Sequence, residues 1–500
     1  MNGLVRRQVP LENFAAQLRQ IGIVVAILLL AQMARAADNS VDPQAITGQM
    51  TQIDEFVRAE MERQKIPGVA IGIVSKGKAV AIKGYGLANV ELGVPVTGET
   101  VFESGSVGKQ FTSTVVMLMV EDGKLALDDS ITKYFTDAPA SWRPITVRNL
   151  LTHTSGIPNY EIKNYQGQSS GERADAIDLR RDYTEEELTK FAYRLPLDFP
   201  PGSRWSYSNT GYVMLGVLIH KVSGQFYGDI LRERVFKPLG MKSARIISEE
   251  DIVPHRAAGY RLVDGQLKNQ EWTSPSLDTT ADGSLYLSIM DFVAWDRGLR
   301  AGAILKPQSW SQINTPVMLK SGKSYPYGFG WQVDESNGKP WYHHGGAWQG
   351  FMTYISRYLA DDLTIVVLTN LGQAAPQRFV DGIAAVIDPK LARIEPVTPI
   401  RDSDPKLAGR VRMLLETTSE GKLSPQDLPY LHDSFARLAK IYADLLRPLG
   451  KPSRLDLLDR RDLGDDRVST YEAVYADRTF RVTVGLAPDG RFSAFWLQPE

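Results

Sequence analysis

The sequence predicts an α+β chain: an antiparallel sheet flanked by helices, with a helical subdomain, and a small α+β domain after it. Three observations predict it. Short β-rich runs lie at both ends of the stretch from Val69 to Thr369, helical periodicities fill the middle, and a proline-rich segment then separates a region of different pattern. Strands at the two ends can share one sheet while the helices between them cover it.

Taken in order, Ile46, Met50, Ile53, Val57 and Met61 recur at spacings of three and four, which predicts an amphipathic helix over 43–64 stopped by Pro67. Val69–Ser75 and Lys78–Gly84 read as strands joined by a hairpin at Lys76-Gly77, where glycine supplies the turn geometry. Ser106–Val120 is apolar almost all round and is therefore expected to be a buried helix ended by Gly123. Four further strands are expected over Tyr327–Val333, Trp341–His344, Phe351–Tyr358 and Leu363–Thr369, the last two joined at Ala360-Asp361-Asp362.

From Asp388 to Pro405 four prolines among charges disfavour regular structure, so 388–405 reads as a linker between a domain over 37–387 and one over 406–500. In the latter, Leu407–Thr418 and Leu428–Leu446 look helical, and Tyr471–Tyr475, Thr479–Leu486 and Arg491–Leu497 look like a strand meander with a Pro488-Asp489-Gly490 turn.

Five hundred residues, 43% hydrophobic and 23% charged, suffice for one large core and an accessory unit. Lys plus Arg (57) nearly cancel Asp plus Glu (58), which leaves no electrostatic footprint for a nucleic-acid partner. The absence of cysteine excludes a thiol nucleophile, a Cys-ligated zinc and a disulfide framework. At the N-terminus Arg6, Arg7 and Arg19 precede an apolar run from Ile21 to Ala34, and Ala34-Arg35-Ala36 has the form a signal peptidase cuts. Residues 1–36 are therefore expected to be a signal peptide that sends the protein to the periplasm or outside the cell; an uncleaved membrane anchor is the alternative, and the run is shorter than the roughly 18 residues of a spanning helix.

Three patterns carry chemistry. Ser106-Val107-Gly108-Lys109 opens the buried helix, and residues three apart share a helical face, so the Lys109 amine can reach the Ser106 hydroxyl. A helix N-terminus favours a developing oxyanion, and burial lowers a lysine pKa toward that of a usable base. An apolar helix has no structural reason to begin with an inward-facing lysine, because an unpaired ammonium is costly to desolvate. In Tyr207-Ser208-Asn209, residues two apart in an extended segment face the same way, so the phenol and the carboxamide can enter one cleft; an ordinary turn with an aromatic lid fits the same letters. In His343-His344-Gly345-Gly346-Ala347, only one histidine can face the cleft, which argues against a two-His metal site, and the glycines would let a substrate backbone approach. A strand end turning through Gly-Gly is the plain alternative.

The order Ser-x-x-Lys, Tyr-x-Asn, His-x-Gly resembles the serine β-lactamase-related and penicillin-binding-protein superfamily, with class C β-lactamases, family VIII esterases and D-aminopeptidases the nearest kinds. Phe102-Glu103-Ser104-Gly105-Ser106, Ile145–Gly156 and Tyr327-Gly328-Phe329-Gly330-Trp331 agree, over about residues 45–385. The resemblance implies a β-lactamase/transpeptidase-like fold, Ser106 as acyl-accepting nucleophile, Lys109 and Tyr207 as acid/base pair, and Asn209 as an orienting group. It also implies His344 and Gly346 beside the substrate and an oxyanion hole formed by the Ser106 and Ala347 N–H groups. His344 stands where the family carries lysine, and a largely neutral imidazole anchors a carboxylate less well, which ranks ester or D-amino-acid amide and peptide substrates above β-lactams and D-Ala-D-Ala termini.

No cofactor and no metal are called for. Gly-x-Ser-x-Gly fails around Ser106, because position 104 is serine, and no His-Glu-x-x-His helix is present. His153, set among turn residues, is read as structural; Tyr160, Tyr286 and Trp348 are candidates to line the cleft, with core packing equally open. The reading from another functional class is a noncatalytic binding or regulatory protein on the same fold.

Overall fold

A computed structural model of the protein describes residues 40–160, 177–246, 251–393 and, with short omissions, 396–499; the apolar run Ile21–Ala34 and the Ala34-Arg35-Ala36 site lie outside the described residues. In place of a single helix over 43–64, the chain forms the short helix Pro43–Gly48 and α1 (Met50–Gln64), broken at Gln49, whose amide donates to the Val386 carbonyl at 2.8 Å. The end of α1 is set by Lys65 at φ 57°, two residues before Pro67.

Next come β1 (Gly68–Ser75), β2 (Lys78–Asn89) and the short β3 (Val94–Pro95), then α2 (Lys109–Glu121), α3 (Asn209–Ser223) and α4 (Ile289–Arg300). The chain then returns to the sheet through β4 (Gln332–Ser336), β5 (Lys339–Trp348), β6 (Phe351–Tyr358) and β7 (Leu363–Thr369) before α5 (Pro376–Ile387). The seven strands stand in the order β4-β5-β6-β7-β1-β2-β3 and every pair is antiparallel, so the two ends of the region do meet, with Val69 opposite Thr369.

All residues of the adjacent strands β1 and β7 are buried. Because side chains alternate across a strand, Val69, Ile71 and Ile73 enter one core with α1 and α5, while Ala70 and Val74 enter a larger one with α2, α3 and α4. The catalytic candidates lie on that second, helix-rich side.

Two expectations for this region change. Tyr327–Val333 is not a strand along its length: Tyr327 makes an isolated bridge to Gln332, where β4 begins. Nor does the strand holding the two histidines end at His344. It continues through Gly345 and Gly346 to Trp348, because β6 pairs with it from Trp341 to Trp348, whereas β4 pairs only as far as His343.

Beyond the turn Pro389–Leu391 the chain enters α6 (Pro405–Ser419) and α7 (Phe435–Leu446), then a four-stranded antiparallel sheet of β8 (Arg454–Leu463), β9 (Asp466–Val474), β10 (Thr479–Leu486) and β11 (Phe492–Pro499). These elements close around a separate cluster of buried side chains drawn from Leu407 to Leu497. Of the helix expected over Leu428–Leu446, Phe435–Leu446 is described as helical and Leu428 itself is not, and β8 answers to no expected strand. The tip of the β8–β9 hairpin touches the first region: Asp466 pairs with Arg204 at 2.9 Å, and the Gly464 backbone packs against Leu319 and Tyr325.

Candidate active site

Ser106 lies in the 3₁₀ turn Gly105–Gly108, and α2 begins at Lys109 rather than at the serine. The tighter turn still brings the pair together: Lys109 Nζ is 3.1 Å from Ser106 Oγ. In the run from Val101 to Met119 Ser106 alone is more than marginally accessible, while Lys109 is 0% exposed. Gly105 has φ 51°, and a Cβ there would lie 2.4 Å from the Ala347 nitrogen, so only glycine admits this approach of strand to turn.

The acceptors around the Lys109 amine include Ser106 Oγ, the Asn209 side-chain oxygen at 2.7 Å, and the Asp282 carbonyl, which lies in short contact. These oxygens compensate a buried ammonium that would otherwise be expensive. The Nζ also sits over the rings of Tyr207 (4.9 Å) and Tyr212 (5.2 Å).

Tyr207 and Asn209 flank Ser208, the N-cap of α3, whose hydroxyl accepts from the Gly211 N–H at 3.2 Å. The cap fixes where the extended segment turns into helix and therefore where the two flanking side chains stand. Behind Tyr207 lies the buried ring of His153, 4.2 Å away between centroids, held at φ 57°. His153 Nδ1 accepts from the Ser208 N–H at 3.1 Å, so the neutral ring carries its proton on Nε2. That nitrogen donates to the Tyr327 oxygen (3.1 Å), the Tyr327 hydroxyl donates to His344 Nε2 (3.0 Å), and His344 Nδ1 donates to the Gly345 carbonyl (2.6 Å). The chain of bonds runs in one direction and uses every ring nitrogen in it.

Burial holds His153 well below the usual imidazole range and brings His344 down to about 4, with the Lys109 ammonium pushing both the same way. His344 is 3% exposed and both its nitrogens are engaged inside the protein. It therefore differs from the substrate-facing group expected of it. His343 points to the other face of the sheet, stacked on Trp341 at 3.6 Å and bonded to Tyr354. Gly346, expected to leave room for a substrate backbone, is filled instead by the protein: a Cβ there would meet Ser104 O at 2.0 Å and Ser106 N at 3.0 Å. Ala347 next to it is exposed, which puts the Ser106 and Ala347 backbones side by side at the cleft floor.

Ser106, Tyr160, Asn209, Leu277, Asp282, Ala347 and Trp348 line one cleft. Of the three aromatic residues left open between cleft and core, Tyr160 and Trp348 line the cleft while also packing in one hydrophobic cluster, and Tyr286 does not line it: it is buried with Val101 and Val253, and its hydroxyl donates to Glu103 at 2.6 Å. Tyr327 and Asp282 were given no role in the sequence. A carboxylate among the small and apolar residues of Thr279–Leu287 was the available signal for the second.

Among curated proteins, the chain is 28% identical to penicillin-binding protein 4* of Bacillus subtilis over 57% of this chain and 64% of that one. It is 29% identical to the D-aminopeptidase of Brucella anthropi over 65% of this chain and 60% of that one. The chain thus spans less than two thirds of the length of these relatives. Among solved structures, an octameric penicillin-binding protein homologue from Pyrococcus abyssi superposes with a TM-score of 0.58 at 26% identity, covering 87% of this chain and 90% of that one. A D-amino acid amidase from Ochrobactrum anthropi SV3 gives 0.57 at 25% identity over 69% and 98%. The model of the family described as Beta-lactamase matches residues 53–387, and the chain belongs to that family.

Proposed function

We propose that the protein is an exported serine hydrolase that cleaves ester or amide bonds through an acyl-enzyme on Ser106, with esters or D-amino-acid amides and peptides as substrates. The observation that carries the reading is the contact of a fully buried, hydrogen-bonded Lys109 amine with the accessible hydroxyl of its turn. A side chain of this charge is not maintained in an apolar helix without a use for it.

In this reading Ser106 Oγ attacks the carbonyl carbon as its proton passes to the Lys109–Tyr207 pair. The oxyanion meets the Ser106 and Ala347 N–H groups, the leaving group departs with a proton from the same pair, and water then cleaves the acyl-enzyme. Asn209 fixes Lys109, and Tyr327 with His344 and His153 holds the Tyr207 segment from behind. Among the described residues, those lining the cleft include no cation for a substrate carboxylate, and His344 is neutral and engaged; this favours ester and amine-terminated substrates over β-lactams and D-Ala-D-Ala termini. Similarity to a D-aminopeptidase and a D-amino acid amidase supports the same ranking. Export rests on the Ile21–Ala34 run and the Ala34-Arg35-Ala36 site, and the region 406–500 serves as an accessory domain.

Intact-mass measurement after brief incubation with p-nitrophenyl butyrate, with release of nitrophenol followed in parallel, tests the proposal. An acyl adduct and turnover that both vanish in Ser106→Ala are expected. Folded protein that shows neither, and does not differ from the variant, would leave a binding protein on the same fold as the better reading.

A further inference from the structure

Beside Ser106 the cleft wall carries a carboxylate for which the proposed reaction has no use. Asp282 is 8% exposed; its Oδ2 accepts from the Tyr160 hydroxyl at 2.7 Å, and its Oδ1 is buried without a hydrogen-bond partner. The backbone of the same residue takes the Lys109 amine, and Gly283 beside it packs so closely on the Gly105–Ser106 peptide that a Cβ there would lie 2.9 Å from Ser106 N. The main chain that carries this carboxylate is therefore held against the turn of the nucleophile. A buried acceptor left unpaired is unfavourable, and more so for a carboxylate. An ammonium group would satisfy it.

We infer that Asp282 is a specificity-determining residue that receives a substrate ammonium group, so that the acyl groups accepted at Ser106 carry a free amine close to the scissile carbonyl. The inference rests on the hydrolase reading above and narrows it to amino-acyl esters, amides and peptides cleaved from the amine end. The surroundings suit such a group. Tyr160 orients the carboxylate through Oδ2 and leaves Oδ1 without a partner among the described residues, and two aromatic residues, Tyr160 and Trp348, line the same cleft. A neutral acyl group of the same shape would leave Oδ1 buried and unpaired, and sites built around such a pairing reject the analogue that lacks it strongly.

Glycine p-nitrophenyl ester and p-nitrophenyl propionate test this directly, because their acyl groups have the same length and end in ammonium and methyl, with no side chain or chirality to intervene. The assay is run at about pH 6, where the amine is charged. After each rate is divided by that ester's own spontaneous hydrolysis, kcat/KM is expected to favour the glycine ester by at least roughly a hundredfold, and Asp282→Asn to reduce that preference to within about tenfold of parity. Should the variant fail to fold, the wild-type preference still decides, together with competitive inhibition of propionate turnover by ethylammonium but not by ethanol. Ser106-dependent turnover with parity, or with a preference for propionate, overturns the role of Asp282 and leaves the hydrolase standing. Turnover of neither ester above that of Ser106→Ala removes both.

Discussion

Tyr327 shows how much rests on a single hydroxyl in this site. It joins His153, behind the Tyr207 ring, to His344 on β5, accepting from one imidazole and donating to the other. Tyr327→Phe keeps the ring and removes both bonds. Each buried polar group left unpaired costs about 1–3 kcal/mol, so urea unfolding is expected to show a loss of at least that size, with a fall in kcat larger than any change in KM. A loss below about 0.5 kcal/mol, the usual range for a surface change, would mean that the hydrogen-bond chain contributes little. At this scale the sequence was partly readable. Ser106 and Lys109 declared themselves by spacing and by an otherwise unexplained lysine, and Asn209 does stand against Lys109. Tyr327 was visible within Tyr-Gly-Phe-Gly-Trp, yet a hydroxyl's partners 174 and 17 residues away are a property of the fold.

Among the elements, the start of α3 does the most to place side chains at the cleft. Ser208 caps that helix between Tyr207 and Asn209. Ser208→Ala is expected to cost about 1 kcal/mol of stability and, by loosening both flanking side chains, to lower turnover by on the order of tenfold, since small displacements of positioned groups are expensive. Ser208→Asp, which can cap equally well, should recover the stability; failure to do so in thermal unfolding would show that the hydroxyl acts in some other way. Element boundaries were legible where the pattern was clean. β6 and β7 begin and end where the two β-rich runs and the Ala360-Asp361-Asp362 turn between them predict. The stretch that became β8 reads as a run of charges, and its strand state comes from pairing with β9 between Arg454 and Leu463. Likewise Gly345 and Gly346 argue against a strand by themselves, and the ladder with β6 overrides them.

For the molecule as a whole, the buried histidines make acid stability a test of the fold. His344 titrates near 4, and burial lowers His153 and His343 in the same direction. An unfolded chain takes up a proton at each below about pH 6.5, while the folded protein does not until the lowered value is reached. More protons are bound by the unfolded state in that window, so stability falls as pH drops from about 6.5 toward 4 and changes little above it for these groups; His344 alone contributes about 3 kcal/mol to the fall. Denaturant unfolding at several pH values should show this slope, and His344→Gln should flatten it. An unchanged slope in the variant would mean that His344 protonates normally in the folded protein. The same scale holds the contact of the β8–β9 hairpin with Arg204 and Tyr325. Tyr325 stacks on Trp205 at 4.1 Å, two residues before Tyr207, which links the C-terminal region to the segment that carries Tyr207.

By itself the sequence determined the antiparallel sheet with helices over it, the family, and the Ser106–Lys109 pair, because these follow from local periodicity and from a motif whose residues lie within one helical turn. Only the tertiary structure decided that His344 turns inward to a tyrosine instead of outward to a substrate, that Gly346 makes room for the Ser104–Ser106 backbone, and that Asp282 stands in the cleft with an oxygen to spare. The physical reason is range. Periodicity and spacing act over a few residues, whereas the direction of a buried side chain and the satisfaction of its polar atoms depend on groups that the fold brings together from farther off, 17 residues for Tyr327 and His344 and 122 for Tyr160 and Asp282.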